Sequence, residues 1–354
     1  MSSVISFLFT LVAFAFVLAI VTLSHEAGHF FTARLFGVKV NEFGLGYPPR
    51  LFAKKGKGGT EYSINLLPLG GFVKLAGEED PNVENSLASK SHAKRIIVLA
   101  AGAFVNALLP IILFTVAYAL PHDVSTGQIQ VLAVSPGSPA ESAGIVVGDV
   151  ILSFNGRQLD NNAELGRDIF LDLGKTVPMQ IQKADGTVVT VTVTPRWNPP
   201  SGQGSVGLQT QTANVVTTRV HDNLFTSVSS GFRETGETMV LFKNSILSLV
   251  FGAPAQFSGP VGIAQMTGEV ARAGFGPLLE FTAFLSLNLA ILNILPIPAL
   301  DGGRIAFVVV EWARRGKRID PKTEGKIHFI GFVLLIGLII LVTFQDIVRI
   351  AGGG

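Results

Sequence analysis

The sequence predicts a polytopic α-helical membrane protein with about four transmembrane helices. It adds a cytoplasmic or membrane-associated β-hairpin region and one inserted, extracytoplasmic β-rich domain. Three observations carry this class. Mean hydropathy is +0.48 and only 15% of the 354 residues are charged, a balance that belongs to membrane proteins. Four stretches, roughly 4–24, 96–120, 281–300 and 327–344, meet the length of about twenty apolar residues needed to cross hydrocarbon. From about 125 to 212 the composition turns to short β-branched runs punctuated by Gly-Asp, Asn-Gly and Asp-Gly turns, as in a small β-rich domain.

The first span, within residues 1–36, is not expected to be a removable signal peptide: no Lys or Arg precedes Arg34 and the His25–His29 segment follows where a cleavage site would sit,. Residues 37–93 form no span. Glu61-Tyr62-Ser63-Ile64-Asn65-Leu66 alternates like a strand, Pro68-Leu69-Gly70-Gly71 is turn chemistry, and Phe72-Val73-Lys74-Leu75 resumes the strand, predicting a β-hairpin or small sheet. Its apolar residues, Leu66 and Phe72 among them, suit a hairpin that dips into the bilayer or lies in the cytoplasm. Residues 78–90, from Glu78-Glu79-Asp80-Pro81 onward, read as a solvated connector.

The second span lies within 94–120, stopped by Pro121 and kinked by Pro110,. Gly102 and Asn106, four apart, share a face suited to close helix packing. The β-rich domain is assigned to 121–213. Within 214–277, Asp222 to Phe251 has helical periodicity, with Phe225, Val228 and Phe232 on one stripe. It is too polar to span and is predicted to be an interfacial amphipathic helix followed by a linker. The third span falls within 278–315, the fourth and the tail within 316–354.

Charge sets an expected orientation. The segment after the first span carries Arg34, Lys39, Arg50, Lys54, Lys55, Lys57, Lys74, Lys90, Lys94 and Arg95. The connection between the last two spans carries Arg314, Arg315, Lys317, Arg318, Lys322 and Lys326. Both face the cytoplasm by the positive-inside rule, which leaves the termini and the 121–280 segment outside. A net charge of +2 is too small to argue for nucleic acid, and the chain has no cysteine, so disulfides and thiolate ligands are excluded.

Chemistry is written at the end of the first span as His25-Glu26-Ala27-Gly28-His29. Residues four apart on a helix share a face, so His25 and His29 can grip one metal ion while Glu26 stands beside it as a base. This is the H-E-x-x-H pattern of zinc metalloproteases. Ionisable groups at bilayer depth cost about 2.5–3.5 kcal/mol each, so they usually mark function. Catalytic zinc normally takes three protein ligands. Asp301 is the candidate third, at the end of Asn293-Ile294-Leu295-Pro296-Ile297-Pro298-Ala299-Leu300-Asp301-Gly302-Gly303. Its two prolines break a helix at a depth where open backbone must line a cavity or be buried in protein.

With both pieces the chain resembles the site-2 protease family of intramembrane zinc metalloproteases, in its bacterial branch like the regulator-of-sigma-E protease. The likeness also runs through Phe43-Gly44-Leu45-Gly46, Pro68 to Lys74, and Ser258-Gly259-Pro260-Val261-Gly262-Ile263. It implies one zinc ion per chain on His25, His29 and Asp301, Glu26 as catalytic base, and Asn293 handling substrate backbone or the oxyanion. Ser135 to Ile145, Gly148-Asp149-Val150-Ile151 and Asn155-Gly156 look like a single PDZ domain. The carboxylate-binding loop of a peptide-binding PDZ is not clear near Ser125-Thr126-Gly127-Gln128; a steric role needs no such pocket.

The family implies hydrolysis of peptide bonds within single-span membrane proteins, such as anti-sigma factors or remnant signal peptides. It also implies a multi-pass place in the bacterial plasma membrane, surrounded by lipid, with the site near the cytoplasmic side. Leu66, Gly70, Gly71, Phe72, Pro296 and Pro298 are the expected substrate-binding residues, because a strand edge can hold an unwound chain through backbone bonds. A PDZ-bearing membrane adaptor with a structural metal site is the alternative. Intact Glu26 argues against it, since a structural zinc needs no base. A metal transporter would place acids in several spans, and spans two and four carry none within their apolar runs.

Overall fold

The structure, a computed structural model, describes residues 3–77, 82–254 and 258–352. The first residues of the expected connector, Glu78 to Pro81, lie outside these, as does part of the expected linker before the third span. Contacts divide the chain into two units, residues 3–117 with 258–352 and residues 118–254.

In the first unit, α1 (Ser3–Leu35) continues through the metal motif, eleven residues past the apolar run that ends at Ser24. Charge stops the hydropathy signal there, but no helix breaker stops the backbone until Gly37, at φ 65°. β1 (Val40–Lys55) and β2 (Glu61–Leu75) form a two-stranded sheet. The expected β-hairpin or small sheet is present, but its turn is not at Pro68–Gly71 and Glu61–Leu66 is not paired with Phe72–Leu75. The tight turn joins β1 to β2, and the two halves of β2 flank β1: Phe43 faces both Val73 and Tyr62, and Leu45 faces both Gly71 and Ile64. Both strands bend at glycines, Gly46 at φ 77° and Gly70 at φ 120°, conformations that a side chain opposes.

α2 (His92–Ala119) runs unbroken through Pro110. Proline removes the amide that would bond the carbonyl four residues back. Here that carbonyl, of Asn106, accepts from the Ser286 hydroxyl at 2.9 Å, the repair that hydrocarbon demands.

The second unit is a six-stranded sheet flanked by helices. Its elements are β3 (His122–Val134), α3 (Pro139–Ser142), β4 (Val150–Phe154), β5 (Arg157–Gln158), α4 (Asn162–Leu171), β6 (Val177–Gln182), β7 (Val188–Val193), β8 (Leu208–Val220) and α5 (Leu224–Val250). Strand order is β7-β6-β4-β3-β8, with β5 on β4. Asn155-Gly156 closes the β4–β5 hairpin with both residues at positive φ, the type I′ signature. Ile129, Val131, Ile151, Phe154, Met179 and Ile181 form a buried core. The expected boundary at 213 falls inside β8. α5 joins the same unit, since its Glu234 pairs with Arg167 and its Asn244 donates to the Phe170 carbonyl at 2.7 Å.

α5 is amphipathic in an inverted sense. Its buried residues are Ser227, Gly231, Glu234, Thr235, Thr238, Asn244 and Ser248, whereas Phe225, Phe232 and Met239 are exposed. That is the face a lipid surface accepts.

Back in the first unit come α6 (Pro260–Ala273), α7 (Phe275–Ile294), α8 (Asp301–Ala313) and α9 (Pro321–Ala351). α6 lies where a linker was expected. Asp346 of α9 accepts from the Gly262 amide at 2.7 Å, and a Cβ at Gly259 would sit 2.9 Å from that carboxylate. The Ser258–Ile263 motif is thus the close-packed start of a helix. The third span, expected at 281–300, is two helices and a break: α7 ends before Pro296 and α8 restarts at Asp301. Four helices, Val4–Leu35, His92–Ala119, Phe275–Ile294 and Pro321–Ala351, are long and apolar enough to cross a membrane. α9 buries only Val342 and Asp346, so nearly all its apolar surface is left for lipid.

Candidate metal centre

One turn of α1 presents His25 and His29 side by side, both buried. Asp301 reaches them from the first turn of α8. His25 Nε2 lies 3.0 Å from Asp301 Oδ2, His29 Nε2 lies 3.3 Å from the same oxygen, and the two nitrogens are 3.1 Å apart. Tetrahedral ligands held about 2.0–2.1 Å from a zinc ion are roughly 3.3–3.4 Å from one another. Two imidazoles and a carboxylate in such a triangle form a donor set that fits zinc. Among the described residues this is the one cluster of three or more His, Asp or Glu with ligand spacing.

Surrounding groups fix the orientation of the donors. His29 Nδ1 lies 2.8 Å from the Val98 carbonyl oxygen. A carbonyl only accepts, so Nδ1 carries the hydrogen and Nε2 turns a lone pair to the triangle, the arrangement usual behind a metal-ligating histidine. α2 approaches at bare backbone. A Cβ at Gly102 would collide with His29 Nε2 and lie 2.7 Å from His25 Nε2, and one at Gly28 would collide with the Ala101 carbonyl. Gly102 was legible in sequence only as a packing residue, and Gly28 only as a spacer. Their use in seating the imidazoles needed the crossing of α1 and α2.

The Asp301-Gly302-Gly303 run is explained the same way. Added Cβ atoms at Gly302 and Gly303 would strike the carbonyls of Leu295 and Ile297. The first turn of α8 therefore folds under the end of α7, which carries Asp301 back to the depth of α1.

Glu26 is half-buried next to the triangle and accepts a hydrogen bond from the Val73 backbone. Gly71 sits against it: a Cβ at that glycine would lie 3.5 Å from Glu26 Cγ. The carboxylate thus faces the Gly71–Leu75 half of β2. That half pairs on one side with β1 and has no second strand partner among the described residues.

The other expected substrate residues are scattered about this edge. Leu66 is exposed, Gly70 and Gly71 are buried, and Phe72 stacks on Tyr47 with ring centroids 6.3 Å apart. Pro296 is exposed and Pro298 half-buried in the break before Asp301. Asn293 is buried in the last turn of α7, and its side chain hydrogen-bonds to none of the described residues. In the second unit, a groove of about 290 Å³ lies between α4 and the Gly204–Thr210 segment, lined by Leu165, Ile169 and Val206. Ser125–Gln128, where the sequence shows no clear carboxylate-binding loop, forms the middle of β3.

The model of peptidase family M50 matches residues 13–338. A Clostridium perfringens protein named as a candidate zinc metalloprotease is 37% identical over 345 residues, covering 96% of this chain and 98% of that one. A Clostridium acetobutylicum protein named in the same way is 34% identical over 354 residues, with 96% and 98% covered. The zinc metalloprotease RasP of Geobacillus kaustophilus is 28% identical over 425 residues, with 96% and 97% covered. The chain belongs to peptidase family M50, the site-2 protease family, and is a membrane metalloprotease.

Proposed function

We propose that the chain is a zinc-dependent intramembrane endopeptidase that cuts the transmembrane segments of single-span membrane proteins. The observation that carries this reading is the meeting of His25, His29 and Asp301, the last 276 residues along the chain from His25, beside Glu26. His25, His29 and Asp301 would hold one zinc ion per chain. The chemistry such an ion would supply there is that of a Lewis acid for the carbonyl and the water that react.

Glu26 takes the proton of the attacking water and returns it to the leaving amine. Asn293 donates to the developing oxyanion; loss of one such donor typically costs about 2.7–4 kcal/mol. A helical substrate has no free backbone groups, so it must unwind before it is cut. The Gly71–Leu75 edge supports this step, because it can receive an extended chain as an added strand, with Leu66, Gly70 and Phe72 lining the approach and Pro296 and Pro298 opposite. Anti-sigma factors and remnant signal peptides are substrates of the right kind. The 121–213 region is read as a PDZ domain whose groove, between α4 and Gly204–Thr210, accepts peptide. The distribution of basic residues supports a metal centre near the cytoplasmic side and termini outside.

Cleavage of a tagged single-span reporter in detergent tests the proposal. The intact chain cuts, whereas Glu26→Gln and chelated protein do not, and Glu26→Gln still holds about one zinc ion per chain. Equal cleavage by Glu26→Gln would sink the mechanism.

A further inference from the structure

We infer that His328 is a positioning residue for the third metal ligand, pinning the strained backbone of Ala299 that delivers Asp301 to the histidines. This rests on the metalloprotease reading of the site. The break between α7 and α8 passes through Ala299 at φ 78°, a left-handed conformation that glycine adopts freely and alanine resists. It lies two residues before Asp301, where a change of backbone angle would swing the carboxylate away from the imidazoles. Something must hold it there.

The holding contact comes from α9. The Ala299 amide donates to His328 Nδ1 at 3.0 Å. An amide only donates, so Nδ1 is the unprotonated nitrogen and the ring hydrogen is on Nε2, which is buried without a hydrogen-bond partner among the described residues. The Phe307 ring of α8 packs on the imidazole, with centroids 5.3 Å apart. Three residues further along α9, bare backbone at Gly331 admits Pro298: a Cβ there would lie 2.8 Å from the Pro298 oxygen.

A helix that leaves most of its apolar surface for lipid thus grips the ligand turn at two adjacent residues. A histidine in an apolar span is costly unless it has a use. Here it gives an acceptor to an amide that the break leaves without a helical partner, at the one strained alanine of the turn. Hydrophobic packing alone needs neither the ring nitrogen nor the 3.0 Å contact.

The test uses the full-length protein in detergent, loaded with zinc or with cobalt as a spectroscopic probe. It compares the parent with His328→Leu, His328→Asn and the double variant His328→Leu with Ala299→Gly. Expected results are zinc release to a chelator about tenfold faster in His328→Leu, with an altered cobalt spectrum and slower reporter cleavage. His328→Asn keeps an acceptor oxygen at the same reach, and the double variant removes the strain; both return near the parent rate. Release from His328→Leu at the parent rate overturns the inference. So does a double variant as leaky as the single one. If His328→Leu yields no folded protein, the double variant carries the test alone, and its failure to retain metal overturns the inference. A parent chain that holds no metal overturns the metalloprotease reading instead.

Discussion

Gly102 is where two physical effects of one methyl group oppose each other. Alanine is the better helix former by about 1 kcal/mol, so helix propensity alone would make Gly102→Ala stabilising. The added Cβ, however, falls among the imidazoles of His25 and His29, and neither ring can retreat, because His29 is tied to the Val98 carbonyl and both are buried. We therefore expect Gly102→Ala to fold normally yet bind zinc some ten- to a hundredfold more weakly, measured by competition with a chelator. Parent-like affinity would mean that α2 does not seat the rings. The candidate ligands were legible in the sequence, because H-E-x-x-H spacing and an acid after a broken span are local patterns, and the structure brings the three side chains together. Gly102 and His328 were not legible as site residues. Their part depends on which helix crosses α1 and which packs on the ligand turn, and periodicity carries no information about partners.

At the scale of elements, α8 is fastened at both ends: Asp301 lies at its start and Glu311 near its end. The Glu311 carboxylate accepts from Arg95 of α2 at 2.6 Å and from Arg318 at 3.1 Å, and His92 lies 3.3 Å away. Burial alone would raise its pKa, but the hydrogen bond and charge of Arg95, with those of Arg318, hold it below the usual carboxylate range. A lowered pKa stabilises the fold above the unfolded value of about 4.3, and that stability is lost as pH falls through the lowered value. The parent should therefore lose thermal stability on acidification below about pH 4. Glu311→Gln, which strands a buried Arg95, should be weaker by roughly 3–5 kcal/mol near neutrality and flatter in acid. Thermal unfolding in detergent checks this, and equal acid slopes would refute it. Of the elements, the four apolar helices were legible because hydropathy is a windowed average. Their ends were not: α1 continues past its apolar run since charge does not break a helix, and although Pro296 and Pro298 announced the break in the run at 281–300, the helix that restarts at Asp301 was not foreseen. β1 was not read as a strand, because Val40–Lys55 carries glycines, prolines and charges in place of clean alternation, and without it the partner of both halves of β2 was missing.

For the whole molecule, the decisive matter is which side of the membrane each end of the site addresses. Basic residues cluster between α1 and α2 and between α8 and α9, and each such residue near a span favours the cytoplasmic side. On the proposed orientation, the β1–β2 sheet and its Gly71–Leu75 edge are expected on the cytoplasmic side and residues 118–254 outside. The chain has no cysteine, so one introduced thiol reports its own location without a background. Lys57→Cys, in the β1–β2 turn, and Lys317→Cys, between α8 and α9, replace exposed residues. Each should react with a membrane-impermeant maleimide only after cells are permeabilised. Ala184→Cys, exposed in the β6–β7 turn, should react in intact cells. The reverse pattern would overturn the orientation while leaving the metal centre as described. The expected pattern has a consequence for substrates: the strand edge beside Glu26 then meets a transmembrane segment from its cytoplasmic end, so unwinding must begin there. A reporter whose helix is weakened by glycine near its cytoplasmic end should then be cut faster than one weakened near its outer end.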